Sequence, residues 1–97
     1  MIHHVAMFRF KEGTTTEQVA AATTALGALP SQIDALVEYR CGSDLELMDG
    51  TWDFVIVADV ADADDFITYK DHPAHRAVVA NFMAPIIAEG ARIQFES

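Results

Sequence analysis

From Ile2 to Lys11 the side chains fall into two alternating sets, Ile2, His4, Ala6, Phe8 and Phe10 on one side and His3, Val5, Met7, Arg9 and Lys11 on the other. That period of two predicts a strand with apolar residues on each face. Gly13 and the threonines after it break the pattern. Thr14 and Glu17 stand at capping-box spacing, with Thr15 and Thr16 as rival caps, and Val19, Ala22, Leu26 and Leu29 then share one helical stripe that Pro30 ends. A second strand is expected from Ile33 to Cys41, where Val37, Tyr39 and Cys41 alternate with Glu38 and Arg40, followed by a loop from Gly42 to Gly50. Trp52 to Val60 reads as a central strand, because Phe54-Val55-Ile56-Val57 is apolar on both faces.

Asp62, Asp64 and Asp65 precede Phe66, Ile67 and Tyr69, the placement expected of carboxylates that cap a helix N-terminus. A second helical segment should start at Pro73, run to about Met83, and yield before Pro85 and Gly90. Ala91 to Glu96 closes the chain as a strand. The order β-α-β-β-α-β predicts an α+β, ferredoxin-like domain over residues 1–97, with both helices on one face of a four-stranded antiparallel sheet. Two helices cover one face only. Val5, Met7, Val55 and Val57 point to the other, so a homodimer joined sheet to sheet into a barrel-like core is expected.

Composition narrows the function. The hydrophobic share of 52% is high for 97 residues, which again points to a second interface. A net charge of −9 with only six Lys and Arg repels phosphate backbones, so neither nucleic acid nor an anionic membrane surface is an expected partner. The N-terminus has no signal-peptide pattern and no apolar run reaches membrane-spanning length. With Cys41 as the one cysteine, a cytoplasmic protein without disulfides is expected. His72 and His75 are three residues apart, but the pattern falls short of a recognisable ligand set, and no glycine loop cradles a phosphate. No metal and no cofactor are expected.

The chemistry-bearing residues concentrate in Tyr69-Lys70-Asp71-His72-Pro73-Ala74-His75. Pro73 stops one helix and starts the next, so Tyr69 closes the first while His75 lies in the opening turn of the second, and both can face one crevice. The positive end of the helix dipole disfavours imidazolium at His75, which suits it to act as a base. Tyr69 could donate to a developing enolate oxygen. His4 shares the strand face assigned to the helices. A purely structural role, with these groups bonded to backbone at the helix junction, stands beside the catalytic one.

His4-Val5-Ala6-Met7-Phe8-Arg9-Phe10-Lys11, then Leu29-Pro30, then His72-Pro73-Ala74-His75 resemble, in that order, the stress-responsive α/β-barrel (Dabb, dimeric α+β barrel) family. The resemblance implies homodimerisation and an apolar pocket between sheet and helices. Its best characterised enzyme is a plant polyketide cyclase of the olivetolic acid type, and the positions matching its site are His4, Tyr69 and His75. Where that enzyme lines its alkyl pocket with aromatics from the first helix, this chain has Ala22, Thr23 and Leu26. The leading expectation is a small apolar carbonyl compound bound against Ala6, Phe8, Leu26 and Ile56, with His75 as general base, Tyr69 as oxyanion donor and His4 as orienting or electrostatic partner. The alternatives are a non-catalytic stress-responsive or ligand-binding dimer, and a cofactor-free oxygenase of the wider superfamily.

Overall fold

The computed structural model describes residues 1–97. Its elements are β1 (Ile2–Phe10), α1 (Thr16–Gly27), β2 (Glu38–Ser43), β3 (Phe54–Val60), α2 (Ala63–Asp71), α3 (Pro73–Val78) and β4 (Ile87–Glu96). The strands form one antiparallel sheet in the order β2-β3-β1-β4. This is the ferredoxin-like fold. No helix is long and apolar enough to cross a membrane.

The alternation in β1 decides which face the helices cover. His4, Ala6 and Phe8 are buried and stand opposite Ala58, Ile56 and Phe54 of β3, which are buried too. Leu26 and Leu29 from the first helical region, with Ile33, Val60 and Met83, complete that layer at 2% exposure or less. Val5, Met7, Val55 and Val57 line the opposite face half-buried. Ile93 and Phe95 of β4 extend that face at 59% and 51% exposure.

Several boundaries differ from those expected. The cap of α1 is Thr15 rather than Thr14: its Oγ1 accepts from Gln18 N at 3.1 Å while Gln18 Oε1 accepts from Thr15 N at 2.8 Å. Thr14 instead donates its hydroxyl back to Lys11 O, which holds the turn before the helix. β2 starts at Glu38, not Ile33. The intervening residues make turn bonds, Ile33 N to Leu29 O and Leu36 N to Ile33 O, that drive Ile33 and Leu36 into the core. β4 begins earlier than expected, at Ile87, because Gly90 sits opposite Phe8, where a β-carbon would come within 3.3 Å of the phenyl ring. Asp53 lies just before β3, and its carboxylate accepts from Phe10 N at 2.8 Å, so a side chain extends the ladder where backbone pairing stops.

Candidate active site

The junction between α2 and α3 is built by one residue. Asp62 caps α2, its carboxylate accepting from Asp65 N at 2.8 Å. At the other end His72 terminates α2 and begins α3. Its backbone is extended, as the residue before a proline prefers, and its Nδ1 accepts from Ala74 N at 3.0 Å. Pro73 then occupies the first helical position, where a missing N–H leaves no bond unmade. This break folds the chain so that the rings of Tyr69 and His75 pack at a centroid distance of 4.4 Å. His72 is thus a cap, and nowhere in the protein do three His, Cys, Asp or Glu side chains gather as a metal-binding group.

Hydrogen bonding sets the tautomers. His75 Nδ1 donates to Lys70 O at 2.9 Å, one of the carbonyls left over at the end of α2. A carbonyl only accepts, so the proton is on Nδ1 and Nε2 keeps its lone pair. His4 enters from β1 with its ring 6.3 Å from that of Tyr69 and 5.1 Å from that of Phe66. Gln94 Nε2 donates to His4 Nδ1 at 2.8 Å, which leaves the His4 proton on Nε2. One imidazole therefore offers an acceptor and the other a donor.

His4, Tyr69 and His75 line one cavity of about 440 Å³ between the sheet and the helices, and Ala6, Phe8, Leu26 and Ile56 form part of its wall. Phe66, Val79, Met83 and Ile87 add apolar surface that the sequence reading did not include. Phe66 is three residues before Tyr69 and Val79 four before Met83, so helical spacing alone could have found them. Val79 and Met83 belong to a π-turn closed by Ala84 N donating to Val79 O at 2.8 Å, an irregularity often found at functional sites. Lys70, Arg92 and Gln94 were also missed. For the last two no local signal existed, because β4 turns its polar residues, not its apolar ones, to the helices opposite Ala6 and His4.

Burial shifts His4, Tyr69 and His75. It lowers the pKa of His75, although the bond to Lys70 O and the charge of Asp71 oppose it and His72 adds to it. Burial also lowers His4, with Arg92 and His75 contributing. Desolvation is the leading cause of the shift at His75. Burial raises the Tyr69 phenol, so Tyr69 stays protonated and able to donate at neutral pH. Tyr39 stands edge-on to Tyr69 at 6.1 Å with its hydroxyl buried and unpartnered, and burial drives its own pKa far up. Trp52 lies elsewhere, beneath the Arg9 guanidinium at 4.3 Å. The Cys41 thiol is also pushed up by burial.

The two depressed histidines make a stability prediction. Unfolded, each takes up a proton below the ordinary 6.5, whereas the folded state resists until its lower pKa is reached. The unfolded chain then binds more protons, so stability falls as pH drops below about 6.5 and levels off past the folded pKa values. Urea midpoints between pH 8 and 5 should fall on acidification, and fall less in a His4→Gln/His75→Gln variant. Identical pH slopes would mean that neither imidazole is held neutral by the fold.

A second histidine chain lies on the outer sheet face. His3 Nδ1 donates to Asp59 at 2.7 Å, Ser97 Oγ meets His3 Nε2 at 2.7 Å, and Arg40 approaches Asp59 at 3.6 Å. It borders none of the cavities described here. A larger, open cleft of about 790 Å³ beside the N-terminus of α1 is lined by Asp44, Glu46, Asp49 and Asp53 and carries no base or nucleophile pair.

Residues 2–97 match the family described as the stress-responsive A/B barrel domain, Dabb. A protein of Streptomyces coelicolor without characterised function is 35% identical over 82 residues, covering 82% of this chain and 84% of the relative. A dimeric ferredoxin-like protein of unknown function from Thermobifida fusca is 43% identical, with a TM-score of 0.92 over 99% of this chain and 90% of the other. The hydroxynitrile lyase of Passiflora edulis superposes with a TM-score of 0.83 over 97% and 90% of the two chains, but at 15% identity it shares the fold alone. The sequence elements at both ends, the strand order and the match over nearly the whole length agree: the chain belongs to the Dabb family.

Proposed function

We propose that the protein is a homodimer in which each subunit binds a small apolar carbonyl compound and moves a proton at the carbon beside the carbonyl, as ring closure of a poly-β-keto chain requires. The observation that carries this reading is the meeting of an imidazole acceptor with two hydrogen-bond donors in one apolar cavity. The substrate carbonyl oxygen accepts from the Tyr69 hydroxyl and from His4 Nε2–H. His75 Nε2 takes the proton from the adjacent carbon, and the charge that develops on oxygen is held by donors already in place. The enolate carbon then attacks a second carbonyl of the same chain, and His75 returns the proton to the alkoxide formed. No metal and no cofactor enter this sequence.

The dimer rests on the half-buried apolar face of Val5, Met7, Val55 and Val57, on exposed Ile93 and Phe95 beside it, and on the dimeric state of the Thermobifida fusca relative. A cytoplasmic location and the lack of nucleic-acid or membrane partners rest on composition alone.

The rival reading is a non-catalytic dimer. The observation favouring it is the bond from His75 to Lys70 O, which also serves to clamp the helix junction. Titration with a 3-oxooctanoyl thioester of N-acetylcysteamine, followed by the ring resonances of His4 and His75, tests the ligand site that the catalytic reading requires. Shifts at both histidines with the Trp52 indole unmoved are expected, and no saturable shift at either histidine would remove the cavity from consideration as a ligand site.

A further inference from the structure

The cavity is a cationic exception on an acidic protein. Of its fourteen lining residues none is Asp or Glu, although the chain has fifteen of these against six Lys and Arg. Two of the six cations, Lys70 and Arg92, line it, and a third, Arg76, borders an adjoining hollow that shares Lys70 and His75. By contrast, the open cleft beside α1 is lined by four carboxylates.

Arg92 is the unusual member. It stands on the helix-covered face of β4, opposite Ala6 and two residues before Gln94, which faces the same way opposite His4. Arg9, Arg40 and Lys70 each pair with a carboxylate, but Arg92 makes no ion pair and no side-chain hydrogen bond. β4 is an edge strand and Arg92 is exposed while lining the cavity, which places this residue at its mouth. Its charge reaches inward far enough to help lower His4.

An arginine without a partner at the rim of an apolar cavity suits a planar anion, because its five donors form a rigid fork that matches a carboxylate with two parallel bonds. We propose that the ligand carries, besides the carbonyl addressed by Tyr69 and His4, a carboxylate head held at the β4 mouth by Arg92, supported by Lys70, while its apolar body lies inward against Phe8, Leu26 and Met83. This names the substrate class of the site and rests on its reading as a ligand cavity. Lys70 is the weaker contributor, since Asp71 already lies 3.5 Å from its ammonium.

Octanoate and octanamide test it, because they share chain length and carbonyl and differ in charge. Calorimetric titration at low ionic strength should show octanoate binding about tenfold or more tightly, a preference that shrinks with added salt. Arg92→Gln should reduce the preference to about twofold, chiefly by weakening octanoate, and Arg92→Lys should retain part of it. Equal binding of the two probes by the native protein would overturn the carboxylate assignment but leave the cavity reading standing. Persistence of the preference in Arg92→Gln would overturn the role of Arg92, and failure of both probes to bind would remove the cavity reading and the carboxylate assignment together.

Discussion

Replacing Val5 by Asp is expected to dissociate the dimer or unfold the protein. Val5 lies at the centre of the outer sheet face, with Val57 of β3 on one side and Ile93 of β4 on the other. Position 57 is a weaker test, because Arg40 is its neighbour on β2 and could pair with a new carboxylate. No cation flanks position 5 in the register. An unpaired charge buried between two sheets costs about 3 kcal/mol or more, and a two-fold dimer buries two of them. A total near 6 kcal/mol weakens association by roughly four orders of magnitude. Analytical ultracentrifugation should give a monomer or an aggregating chain at concentrations where the native protein is dimeric. A well-folded dimeric Val5→Asp protein would show that another surface joins the subunits.

The second large effect is at His75. Substitution by Ala removes the only acceptor that the hydrogen bonding leaves unoccupied on the two cavity imidazoles, and proton transfer from a carbonyl-activated carbon should fall to the background rate. Tyr69→Phe leaves the base intact but removes a donor to the developing oxyanion, for which a loss of about 10²-fold or more is expected. His75→Ala also loses the bond to Lys70 O, a change of about 1 kcal/mol in stability. Urea midpoints therefore accompany the rates. If the two variants unfold readily while the native protein shows no proton transfer, the groups hold the helix junction and have no chemical role.

Much of the architecture was legible because it follows from periodicities with strong physical causes. Alternation in β1 separates His4, Ala6 and Phe8 from Val5 and Met7, and the proline at 73 fixes the break between α2 and α3. The errors lie where a side chain replaced a backbone interaction or a turn overrode a pattern. Ile33 alternates well enough with its neighbours to suggest a strand, yet successive turn bonds make it a core plug. Gly90 reads as a breaker, yet the ring of Phe8 needs the space that its missing β-carbon leaves.

The triad of His4, Tyr69 and His75 could be singled out from residue type, the proline junction and the family resemblance. Its environment could not. Gln94 and Arg92 enter through the pairing of β4 with β1, ninety residues apart in the chain, and nothing local in Ala91-Arg92-Ile93-Gln94-Phe95 says that the polar residues face inward. The desolvation of His75 likewise depends on the packing of α2 and α3 over the sheet.

The most direct test is deuterium exchange at the carbon between the two carbonyls of 3-oxooctanoyl-N-acetylcysteamine in D₂O near pH 7, followed by proton NMR. It reads the abstraction step itself and needs no knowledge of the natural product. The native protein should accelerate loss of that signal well above the buffer rate, with the activity falling on acidification as His75 is protonated at a pH below the ordinary histidine value. Exchange at the buffer rate, with the thioester shown by ring shifts of His4 and His75 to occupy the cavity, would contradict the proposed chemistry and leave a binding protein.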